Sequence, residues 1–238
     1  MNANAIAKEL ATDWHLLIGD RLRSAALFGS GARGEFIDDV SDVNVILLVD
    51  QIDAALLRCA SSATRKWMKV GKQAPLVFEV EEWRRASDVF AIEVADMADA
   101  HVVLHGDDPI AGAIVDEDSL RLQAERELRG KLLQLQTGLL IAANTPVDVG
   151  HLLMNALPSF AAYMRAVLRL AGQPVPKTTT ETINLACGHV GANPAAFLRV
   201  WEARSKRSSF KLAVDDPVVD MYYDTAERTA NFVDNLRR

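Results

Sequence analysis

An α/β domain followed by an all-helical one is the fold class predicted for this chain, and three observations carry the prediction. Residues 1–110 mix strand-like apolar runs with segments of helical period. From about residue 118 onward only the helical period recurs, with several capping signals. The turn-forming string Gly106-Asp107-Asp108-Pro109 lies just before the change. The expected division is therefore an α/β domain over residues 1–112 and a helical bundle over residues 113–238.

In chain order, Ile6, Leu10, Trp14 and Leu17 recur at three- and four-residue steps, which gives a first helix one apolar face to lay on a sheet. Ala25-Ala26-Leu27-Phe28, stopped by Gly29, and Val43 to Val49, ended by Asp50, are the short apolar runs of buried strands. Residues 52–68 have helical period through Ile52, Leu56, Ala63 and Trp67. Pro75 then opens a strand over Leu76 to Val80, and Phe90 to Val94 and Val102 to Leu104 read as two more.

In the second half, Asp118 or Ser119 is the expected N-cap of a long helix through Arg121 to Leu140, with Glu125 and Arg129 in the favourable i,i+4 order. A second helix is expected from Val149 to Ala171, kinked at Pro158 and stopped by Gly172 and Pro174. Asn193-Pro194 and Asp216-Pro217 each pair an N-cap residue with proline at the first helical position, so each starts a helix. Four or five antiparallel helices make a bundle.

Composition narrows the function classes. A length of 238 residues, half of them hydrophobic, suits two modest domains. The net charge of −6 and the scattered Lys and Arg speak against a protein that grips long nucleic acid, and favour a small substrate or a protein partner. Cys59 and Cys187 have no Cys or His neighbours at ligand spacing, so they read as buried core thiols and not as a disulfide or zinc framework. The N-terminus lacks the basic-then-apolar order of a secretion signal, and no apolar run reaches membrane-spanning length, so the expected location is the cytoplasm.

The stretch that carries chemistry is Leu27-Phe28-Gly29-Ser30-Gly31-Ala32-Arg33-Gly34-Glu35, a strand entering a glycine-rich turn and then a helix, followed by Ser41-Asp42-Val43-Asn44 at the head of the next strand. Such a turn presents backbone N–H groups and a small hydroxyl where a phosphate is favoured. It lacks the Lys-Ser/Thr pair of a Walker A loop and the spacing of a dinucleotide fingerprint, and an ordinary tight turn between strand and helix would have the same composition. On an alternating strand, residues 42 and 44 would share a face and could share divalent cations that bridge a nucleotide's phosphates.

The string LFGSGARGE followed by SDVNVILLV resembles the signature of the DNA polymerase β superfamily of nucleotidyltransferases, as in minimal nucleotidyltransferases and aminoglycoside adenylyltransferases. The resemblance implies an α+β nucleotidyltransferase domain with a mixed sheet, followed by an all-α bundle that closes over the nucleotide. It implies ATP or another NTP as substrate with Mg²⁺ or Mn²⁺, and transfer of a nucleoside monophosphate to a hydroxyl of a small-molecule or protein acceptor. Position by position, Gly29 and Ser30 become the phosphate-binding turn, Arg33 a neighbour of the phosphate and Asp42 the first metal ligand. Glu93, in the strand-like run at 90–94, becomes the third carboxylate, as metal ligand or general base. Glu79 and Glu81 are lesser candidates.

Asn44 departs from the pattern, which has a second aspartate at that position; an amide oxygen ligates Mg²⁺ but brings no charge. Two outcomes stay open: an enzyme with an unusual metal shell, or a nucleotide-binding or protein-interaction module, possible as a homo-oligomer, that has kept the fold and lost catalysis. In the helical half the mixed-sign run Glu125, Arg126, Glu127 and Arg129 and the pair Arg165 and Arg169 read as solvated faces or cleft lining. Trp201, Tyr222 and Tyr223 read as core or as a stacking surface, and His151 and His189 as structural.

Overall fold

The computed structural model describes residues 2–71, 73–142 and 144–236. The chain forms two compact units, Met1–Val115 and Asp116–Arg238.

The first unit is built on a four-stranded mixed sheet in the order β3-β2-β1-β4. Strand β1 (Leu22–Phe28) runs antiparallel to β2 (Asn44–Val49) and to β4 (His101–Gly106), and β2 runs parallel to β3 (Leu76–Glu79). Strand β2 is apolar without alternation because both its faces are covered. Val45, Leu47 and Val49 join Ala25 and Leu27 in a core beneath helices α1 (Ala3–Ile18) and α3 (Ala54–Gly71), with Trp14 and Trp67. Ile46 and Leu48 join Ala26 on the other face, where Trp83, Val94 and Met97 pack. Between the strands come α2 (Ser30–Arg33), α4 (Val80–Arg85) and α5 (Ala91–Asp99).

Several sequence expectations need correcting. Residues 90–94 are not a strand: they enter α5, where Ala91, Val94, Ala95 and Met97 bury the spacing of a helix face. A five-residue apolar run fits either state, and the alanines at 91, 95 and 98 tip it to helix. Glu81 likewise lies in helix α4 and pairs with Arg84 at 2.6 Å, while Glu79 ends β3 and accepts a hydrogen bond from Ile52 N at 2.8 Å. Asp42 precedes β2, which begins at Asn44, so the two do not alternate on one strand. Cys59 is exposed and not a core thiol, with its Sγ 3.5 Å from Leu17 O.

The second unit holds five helices among the described residues: α6 (Glu117–Ala142), α7 (Pro146–Leu170), α8 (Thr179–Val190), α9 (Ala195–Ser205) and α10 (Pro217–Asn235). The cap of α6 is Asp116 and neither Asp118 nor Ser119, since the Asp116 carboxylate accepts from Ser119 N at 2.9 Å. Nor do Glu125 and Arg129 pair: Glu125 takes Arg121 at 2.7 Å, and Arg129 reaches Asp234 and Asn231 on α10. Asp216 caps its helix, accepting from Val218 N at 2.9 Å, whereas α9 begins one residue later than expected, with Pro194 in the cap position and Asn193 accepting from Ala195 N at 3.0 Å.

Helix α7 runs on through Pro158, which has no N–H to offer the carbonyl of Met154 one turn earlier. Arg204 from α9 supplies the missing donor, its Nη1 lying 3.2 Å from Met154 O. Near that point Tyr222, fully buried, stacks on Phe197 with centroids 4.0 Å apart and donates to Leu153 O at 3.3 Å. Tyr222 is therefore core. Among the described residues, no helix is long and apolar enough to cross a membrane.

Candidate functional site

The site begins where β1 ends. Gly29 has φ +69° and ψ −147°, a conformation essentially confined to glycine, which turns the chain sharply out of the strand. Its carbonyl then accepts from Ala32 N at 3.2 Å and Arg33 N at 3.1 Å, and Glu35 N donates to Ser30 O at 3.0 Å. These bonds close the single turn of α2 and leave the N–H groups of Ser30 and Gly31 outside its own bonding. Gly34, at φ +77°, ends the turn in the left-handed region.

Register fixes what lies beside this turn. Phe28 pairs with Asn44 on one side and with His101 on the other. The Asn44 side chain is half-buried against Gly29: a Cβ placed on Gly29 would meet Asn44 Nδ2 at 2.8 Å. Asp42, two residues earlier, is exposed. The loop that leads to it is held from within, since Ser41 Oγ accepts from Ile37 N at 3.1 Å and Ser41 N donates to Ile37 O at 2.8 Å.

The Arg33 side chain turns toward α5. It is only 7% exposed and its Nη2 donates to the backbone carbonyl of Asp96 at 3.1 Å. The same nitrogen stands 3.7 Å from Asp96 Oδ1 and 3.8 Å from Asp99 Oδ2. The turn is thereby tied to the C-terminal end of α5. Glu93 lies half-buried in the first turn of that helix, one turn before Asp96. Gly29, Ser30, Arg33 and Asn44 thus share one corner, Asp42 stands at its edge, and Glu93 belongs to the helix that Arg33 holds. Sequence reasoning missed Asp96 and Asp99; the i,i+3 acids of the run AIEVADMAD were their only trace.

The donor set limits the metal chemistry. No group of three or more His, Cys, Asp or Glu that could hold a metal occurs among the described residues. Asp42 and Asn44, two residues apart in the chain, offer a cation one carboxylate and one neutral amide, less charge than a two-ion clamp draws on. A separate cleft of about 450 Å³, lined by Arg23, Ser24, Trp83, Arg84, Asp107 and Asp108, lies at the opposite end of the sheet from Gly29.

The class these features define is the α+β nucleotidyltransferase fold with a helical C-terminal region. The particular likeness is to a crystal structure of spectinomycin adenyltransferase AAD(9) from Enterococcus faecialis with ATP and spectinomycin, with a TM-score of 0.58 over 93% of this chain and 98% of the other, at 10% sequence identity. No protein-family model and no curated protein matches the chain by sequence.

Proposed function

We propose that this chain is a nucleotidyltransferase that moves a nucleoside monophosphate from ATP or another nucleoside triphosphate to a hydroxyl group of a small molecule. The observation that carries the reading is the likeness of fold to a solved adenyltransferase over 93% of the chain; the resemblance of the strings at 27–35 and 41–49 to the family signature supports it. The neighbour was crystallised with ATP and spectinomycin, so a polyhydroxylated aminocyclitol or aminoglycoside is the first acceptor class to test.

In this reading the N–H groups of Ser30 and Gly31 and the Ser30 hydroxyl hold the phosphates at the turn. Asp42 and Asn44 Oδ1 would hold Mg²⁺, which supplies charge neutralisation to the triphosphate when bound. The acceptor oxygen attacks the α-phosphorus in line, the bond to the bridging oxygen breaks, and pyrophosphate leaves with the electron pair. Glu93 is the proposed acceptor of the hydroxyl proton, a role that requires α5 to present it toward the turn.

Asn44 favours a second reading, a nucleotide-binding module in which transfer is lost. The test is incubation with labelled nucleoside triphosphates, Mg²⁺ or Mn²⁺, and a panel of aminoglycosides including spectinomycin. Pyrophosphate release by the wild type that disappears in Asp42→Ala supports the enzyme. Activity that emerges only in Asn44→Asp supports the module, and ATP binding to neither protein overturns both.

A further inference from the structure

We infer that Arg33 is a positioning residue that fixes the Gly29–Gly34 turn to helix α5 and makes no contact with a nucleotide phosphate. For its ligand-affinity arm this rests on the nucleotide-binding reading above; its structural arm does not.

Two halves of one residue do the coupling. The Arg33 backbone N–H closes the turn onto Gly29 O, and its guanidinium bonds Asp96 O in the last turn of α5. A cation is well placed there, because the helix C-terminus carries partial negative charge and the carboxylates of Asp96 and Asp99 lie within 3.8 Å. With the side chain 7% exposed and Asp96 itself buried, withdrawing the guanidinium to meet a ligand would give up its bond to Asp96 O and its nearness to both carboxylates in a site largely shielded from water. The turn that would hold phosphate and the helix that carries Glu93 therefore move as one body.

The experiment is a double-mutant cycle with Arg33→Met, Asp96→Asn and their combination, plus Arg33→Lys, read by ATP affinity and by hydrogen exchange of the Ser30–Gly34 amides. Arg33→Met is expected to weaken ATP binding roughly tenfold, the size that coupling between contacting residues commonly reaches, and Asp96→Asn, which keeps the backbone acceptor and loses only the carboxylate charge, to weaken it less, with the double variant no weaker than Arg33→Met. Turn amides should exchange about tenfold faster in Arg33→Met and less so in Asp96→Asn. Arg33→Lys should recover part of each effect, since it keeps the charge but not the planar fork.

Weakened ATP binding in Arg33→Met with turn amides that exchange at the wild-type rate would mean a direct phosphate contact and overturn the inference. So would a lowered melting temperature with ATP affinity unchanged in the folded variants, the mark of a brace that positions nothing. If the wild type takes up no ATP, the nucleotide reading alone fails and amide exchange decides the coupling. If Arg33→Met does not fold, Arg33→Lys and Asp96→Asn decide it by the same two readouts.

Discussion

The corner around Gly29 and the aromatic core of the helical unit treat their polar groups in opposite ways. In the helical unit two polar groups close onto carbonyls of α7: Arg204 serves the carbonyl that Pro158 leaves without a donor, and Tyr222 donates to Leu153 O while its ring stacks on Phe197. At the glycine corner the N–H groups of Ser30 and Gly31 lie outside the turn's own bonding, the Asn44 amide lies beside Gly29, Asp42 nearby in the chain is exposed, and Gly29 holds a backbone conformation that other residues rarely adopt. A region selected only for stability resembles the first.

The sharpest way to break this contrast is in the aromatic core. Tyr222→Ala should cost about 3–5 kcal/mol in denaturant unfolding, the range for emptying a large buried aromatic site, and should leave ligand affinity in folded protein unchanged. Gly29→Ala should cost roughly 2 kcal/mol through backbone strain alone and should abolish ATP binding measured by calorimetry. Adding Asn44→Ala removes the 2.8 Å collision but not the strain, so only part of the stability should return.

A smaller effect separates repair from ordinary packing. Arg204→Met should cost about 1–2 kcal/mol by leaving Met154 O without its donor. In a Pro158→Ala background, where the helix regains its own N–H, that cost should shrink; an equal cost in both backgrounds would remove the repair argument.

The smallest effect is in pH. Burial pushes the Cys187 thiol up from about 9 to about 11. Above pH 9 the unfolded chain loses this proton first, so Cys187 makes stability fall as pH rises from about 9 to about 11. Cys187→Ala should flatten that slope. A thiol reagent at pH 8 should label exposed Cys59 and spare Cys187 in folded protein.

Much of the frame was legible because it is local. Buried strands announced themselves at 25–28 and 43–49, and proline after Asp216 marked a helix start to the residue, proline after Asn193 one to within a residue. What failed was of two kinds. Phe90 to Val94 was ambiguous because a short apolar run does not distinguish strand from buried helix. The partners of Arg33, Arg129 and Arg204 were invisible because they come from remote segments: Asp96 is 63 residues from Arg33, and Met154 is 50 from Arg204. The candidate corner was legible as a string of residue types, whereas its wiring to α5 was not.

The closeness of Asn44 to Gly29 also bears on how this site can change over generations. Aspartate and asparagine have nearly the same shape, so either fits over the bare glycine without disturbing its neighbours. Their codons differ by one base. A lineage carrying this corner can therefore gain or lose a carboxylate there in one mutational step that packing does not oppose, leaving selection on chemistry to decide which residue stays.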